Sequence, residues 1–206
     1  MVSEITNITA RIISRLYGNG NVDKATLASL RGAENIESPR ARTIWPIMFS
    51  EINEKYLSHD PTGKPSNTEN AIYTAIRCYA IYQQGVNDEV YASSYGDKAN
   101  GEALFRSLSK IRGTGTSRDA LDRRVQNLLS SRNISSVTKS VTQLVRIIKS
   151  NNPKMKIDFG QLAADLYYFS VSFNSANQVC LKWGQQYYWV ANSSDDENEK
   201  RETKND

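Results

Sequence analysis

Histidine occurs once and cysteine twice in this chain of 206 residues. His59, Cys78 and Cys180 are too few for a zinc shell, a histidine-based hydrolase site or a disulfide framework. No metal and no cofactor is therefore expected. Apolar runs stay well short of the ~18 residues that span a bilayer, and the N-terminus lacks a signal-peptide core. A reducing cytoplasm is the compartment these absences imply, with no membrane partner. Alternating apolar and polar stretches bounded by turn residues are also missing, so a sheet is not indicated. Hydrophobic residues make up 39% and charged residues 23%, which excludes disorder throughout.

Catalytic motifs are equally scarce. Gly18-Asn19-Gly20 and Gly113-Thr114-Gly115 are short turns without the Lys-Ser/Thr ending of a phosphate loop. His59 lies in a Pro/Gly loop with no partner, and the carboxylates form no acid–base pair. Cys78 and Cys180 read as small packed hydrophobes. The chain is not expected to be an enzyme.

What is present is helical periodicity almost everywhere. Ile5, Ile8, Ile12 and Leu16 recur at three- and four-residue steps until Gly18. Asp23 caps a short second helix with Gly32 just past its end, and Pro46 opens a third running to about Leu57. A helix at 67–84 follows, then helices near 100–112, 117–131, 135–150, 158–173 and 176–190. Ser117, Ser135 and Asp158 are the N-caps expected for three of them. The fold class is all-α, a helical bundle protein with two small subdomains: residues 1–97, and a basic 98–192. Residues 193–206 read as a disordered acidic tail.

Charge is unevenly spread. The formal net charge is +4, yet Lys98–Lys156 holds thirteen bases and three acids, while Ser193–Asp206 holds six acids and three bases. Within the basic stretch, Lys139, Arg146 and Lys149 lie opposite the apolar stripe Val141, Leu144, Val145 and Ile148. Arg124 has no carboxylate four residues away, whereas Arg123 has Asp119 there. Arg106 and Lys110 form a like-charged pair at helical spacing. Unpaired cations on helices point to an external anion, and phosphate backbone is the natural candidate. Arg31, at a helix end where a cation also suits the helix dipole, and Arg77, beside an apolar stripe where it could simply snorkel at the edge of the core, are further candidate contacts. Tyr167, Tyr168, Trp183, Tyr187, Tyr188 and Trp189 could stack bases, but their helical spacing favours a core role.

The order of segments is also recognisable. LASLRG at 27–32, Trp45-Pro46, NGEALFRSL at 100–108 and DALDRRVQNLL at 119–129 are followed by SVTQLVRIIKS at 140–150. DFGQLAADLYYF at 158–169 and LKWGQQYYW at 181–189 complete the series. This pattern, covering roughly residues 5–190, resembles the CasB small-subunit family of type I-E CRISPR Cascade complexes. The resemblance implies a non-catalytic, all-helical subunit of a ribonucleoprotein, present beside a second copy of itself and other Cascade subunits. Its implied partners are the CRISPR guide RNA, the target DNA and the displaced strand of the R-loop. Arg124 and Arg146 are then the leading nucleic-acid contacts, with Arg31 and Arg77 beside them. Ser130 and Gln185 stand near places where that family often carries further arginines. The alternative from the residues alone is a helical DNA-binding regulator, using a turn at 113–115 and a reading helix at 117–131.

Overall fold

The computed structural model describes residues 2–97, 99–112 and 118–189. Nine α-helices account for most of them: α1 (Val2–Tyr17), α2 (Lys24–Gly32), α3 (Trp45–Glu51), α4 (Asn67–Gln83), α5 (Leu104–Arg112), α6 (Arg118–Leu129), α7 (Ile134–Asn151), α8 (Phe159–Val171) and α9 (Phe173–Tyr188). The all-helical expectation holds, and no strand forms among the described residues. The tail at 193–206, the Gly113–Gly115 turn and the Ser117 cap lie outside them.

Local chemistry explains most of the boundaries. α1 stops where Gly18, Asn19 and Gly20 all take positive φ, a region costly for side chains with a Cβ. The Asp23 carboxylate accepts the Thr26 N–H at 3.0 Å and starts α2. Ser66 and Glu69 form a reciprocal capping box at the start of α4. Several expected boundaries move. α3 ends at Glu51 because Ile52 and Asn53 are extended, and only a 3₁₀ turn at Glu54–Tyr56 continues it. Asn133, not Ser135, caps α7. α9 begins at Phe173, capped by Ser172, rather than near 176.

The core is one continuous apolar cluster. α8 lies at its centre and packs on α1, α4 and α9, so contacts run freely across the 97/98 position in sequence. Gly160 permits the α1–α8 approach: a Cβ there would sit 2.9 Å from Thr6 Cγ2 and 3.0 Å from its carbonyl oxygen. Buried Trp183 stacks between Phe105, at 4.6 Å, and Phe169, at 6.2 Å, joining α5, α8 and α9. Its indole N–H donates to Asp165 Oδ2 at 2.8 Å, which removes the cost of burying that donor.

The segment between α4 and α5 is pinned to the start of α8. Ile157 bridges both Tyr91 and Glu102 in parallel register. Fully buried Asp158 accepts the Gln161 N–H that opens α8, and its other oxygen accepts the Ser94 N–H and hydroxyl. One carboxylate thereby caps a helix and anchors a loop. These ties fix the relation of α4, α7 and α8, on which the basic surface rests.

Candidate nucleic-acid interface

α4 and α7 run beside each other and leave a groove of about 500 Å³ between them. Arg77, Thr74, Lys139, Thr138 and Thr142 line it, with Glu34 and Asn35 at the end nearest α2. On α7, Ser135, Lys139, Thr142, Arg146 and Lys149 recur at alternating four- and three-residue steps, which places them on one polar stripe. The stripe from Lys139 to Lys149 spans about 15 Å along the helix.

Arg77 is the centre of this surface. Its Nη1 donates to Thr142 Oγ1 at 3.3 Å, while its buried Nε has no hydrogen-bond partner. No carboxylate among the described residues pairs with it. A half-buried guanidinium satisfied by one hydroxyl is short of acceptors, because it carries five N–H donors. Lys139 and Arg146 are exposed and likewise have no partner among the described residues.

Lys149 departs from expectation. It is not on a solvated face but half-buried, and its ammonium donates to the Ile81 carbonyl at 2.8 Å. Burial, followed by the positive fields of Arg31 and Arg146, pulls its pKa below the ordinary lysine value. Arg31 donates over a long 3.5 Å to the Ala80 carbonyl at the same end of α4. Arg31, Arg77, Lys139, Arg146 and Lys149 therefore gather around α4 and α7, although the first two come from the acidic half of the chain.

The other candidates lie elsewhere. Lys110 is not unpaired: it forms a salt bridge with Glu102, which precedes α5 and so escapes an i,i+4 search. Arg106 donates to the Trp189 carbonyl at 3.0 Å, with its guanidinium 4.2 Å from the centre of the indole ring. Arg124 is exposed on α6 and has no partner among the described residues. Arg123 reaches the Asp119 carbonyl at 3.2 Å rather than its carboxylate.

Sequence reasoning missed the hydroxyls of the groove, Thr138 and Thr142, and also Arg112. The α7 stripe carried the signal for the threonines. Arg112 gave none, since its bidentate partner Asp122 sits ten residues away. The aromatics divide: Trp183 and Tyr187 are core, Tyr167 and Tyr168 half-buried, and Tyr188 and Trp189 exposed. Cys78 is buried and its thiol pushed up to about 11 by desolvation, so it is inert packing. A larger cavity of about 930 Å³ lies between α1, α8 and α9, but Lys182 there is committed to Asp165 at 2.7 Å. Among the described residues no group of three or more His, Cys, Asp or Glu could hold a metal, and no helix is long and apolar enough to cross a membrane.

The fold and this surface define an all-helical bundle with a basic, hydroxyl-lined groove. The chain belongs to the family of CRISPR-associated protein Cse2, whose model matches residues 26–188. Its fold is similar to the crystal structure of CasB from Thermobifida fusca, with a TM-score of 0.65 and 21% identity, covering 90% of this chain and 98% of that one. A chain of a CRISPR RNA-guided surveillance complex is similar at a TM-score of 0.66 and 19% identity, covering 97% and 99%. Comparison with curated proteins finds no match.

Proposed function

We propose that this protein is the non-catalytic small subunit of a Cascade-type surveillance complex. It holds nucleic-acid backbone in the α4–α7 groove, steadying guide RNA–target DNA pairing and the displaced strand. Cleavage of the target would fall to a separate nuclease. The observation that carries the reading is Arg77: a cation set into a groove with an unsatisfied donor, flanked by Lys139, Arg146, Lys149 and Arg31. Family membership supports the setting, and the likeness to a chain of an RNA-guided surveillance complex is consistent with it. In such complexes base pairing reads the sequence, so a subunit needs only phosphate contacts.

The test is co-expression of the full chain with a guide RNA and the large subunits. The wild-type chain should co-purify with both. A variant carrying Arg77→Ala, Lys139→Glu and Arg146→Glu should still enter the complex, because its core is untouched. Its displaced strand should become reactive to permanganate and its R-loops shorter-lived. Failure of the wild-type chain to co-purify, or unchanged protection in the variant, would overturn the reading.

A further inference from the structure

The C-terminal end of α9 carries a second surface that the groove does not use. Trp189 is 59% exposed and Tyr188 43% exposed, an unusual investment of two large aromatics at a surface. They line a concavity of about 750 Å³ together with Arg106, Gln185 and Gln186. Arg106 covers one face of the indole, 4.2 Å from its centre, and grips the Trp189 carbonyl, so the ring is held in place. Tyr188 packs edge-on against buried Tyr187 at 4.9 Å, which fixes the second ring. Two groups at this surface remain incompletely satisfied. The buried Gln186 Oε1 lacks a donor, and Arg106 has no carboxylate among the described residues.

We propose that Trp189, Tyr188 and Arg106 form a stacking platform for one unpaired nucleobase of a single-stranded nucleic acid. This rests on the reading of the protein as a nucleic-acid-binding subunit, and assigns it a base-contacting point apart from the α4–α7 groove. The chemistry is specific to such a ligand. An indole backed by a guanidinium presents a flat π-face to a base, and the positive charge stands ready for the adjoining phosphate. The exposed Gln185 amide can meet a base edge from either sense, since it carries donors and an acceptor. Stacking of this kind tolerates any base, which suits a displaced strand of arbitrary sequence.

The experiment uses the full chain, an oligothymidine and an abasic oligonucleotide of equal length and charge. Trp183 is buried and Trp45 half-buried, so quenching of the exposed indole reports chiefly on Trp189. Oligothymidine should quench the fluorescence and bind more tightly than the abasic strand. Trp189→Ala should weaken oligothymidine binding roughly tenfold, leave abasic binding unchanged and remove the quench, while Trp189→Phe keeps most of the affinity. Equal binding of the two strands by the wild-type chain would overturn the platform but leave the groove standing. So would loss of the Trp189→Ala variant from the assembled complex with oligothymidine affinity unchanged, which would make the patch a protein contact. Failure of both strands to bind would overturn both readings.

Discussion

At the residue scale, a network of charges ties α5, α6 and α9 together beside Tyr188 of the aromatic platform. Asp122 accepts Arg112 Nε at 2.6 Å and Nη2 at 2.9 Å, and the Tyr187 hydroxyl at 2.6 Å. The Arg112 guanidinium above all holds this carboxyl down at about 2, against the opposing effect of burial and with help from the Tyr187 hydroxyl. A carboxylate whose folded pKa lies below its unfolded value of about 3.9 stabilises the fold above pH 4, and that contribution disappears as pH falls towards 2. Asp122→Asn should therefore cost about 2 kcal/mol near neutrality, lowering the melting temperature by roughly 4–8 °C. The gap from wild type should narrow steadily in scans from pH 4 to pH 2. Equal melting temperatures at pH 7 would show that Arg112 finds another acceptor. None of this was legible in sequence, because ten residues separate the partners and they belong to different helices. The same reason hid the Lys110–Glu102 bridge: local spacing exposes only pairs that share a helix.

At the scale of elements, periodicity and caps located each of the nine α-helices among the described residues, and the errors fell where chain geometry outweighed pattern. Residues 100–103 read as the first turn of α5, yet they pair with 156–158 instead, since Glu102 donates to the Lys156 carbonyl and accepts from Asp158. Gly101 makes this possible. A Cβ there would lie 2.0 Å from the Ala92 carbonyl oxygen, a distance no side chain tolerates. Gly101→Ala should push the 91–93 and 101–102 segments apart and cost about 1–3 kcal/mol, as overpacking does. Urea unfolding should show a lower midpoint with far-UV helicity retained, because no helix is interrupted. An unchanged midpoint would mean that the Ala92 segment can retreat freely. The aromatic cluster at α9 shows the same division. Trp183 and Tyr187 follow the buried stripe, but Trp189 lies past the last helical residue, where a 3.6-residue pattern no longer governs which way a side chain faces.

At the scale of the whole molecule, net charge located the basic stretch but not the groove. Arg31 and Arg77 belong to a half of the chain with more acids than bases, and only packing of α2 on α4 and of α4 on α7 brings them near Lys139 and Arg146. Long-range placement of this kind is absent from a linear charge profile. The resulting surface makes a quantitative prediction about salt. Each phosphate neutralised contributes about 0.7–0.9 to the slope of log affinity against log salt concentration. Replacing Lys139 and Arg146 together by glutamine should flatten that slope by roughly 1.5 for random-sequence DNA. Lys110→Gln should leave the slope unaltered, since that ammonium is already neutralised by Glu102. All three chains can be compared by filter binding from low to moderate salt, at a pH where every cation is charged. The contrast matters more than either value, because all three substitutions remove a positive charge and only two remove a free one. A flattening shared in equal measure by Lys110→Gln would mean that general field, not the groove, attracts the phosphates. An unchanged slope in the double variant would place the backbone path on another face, with exposed Arg124 of α6 the first residue to substitute next.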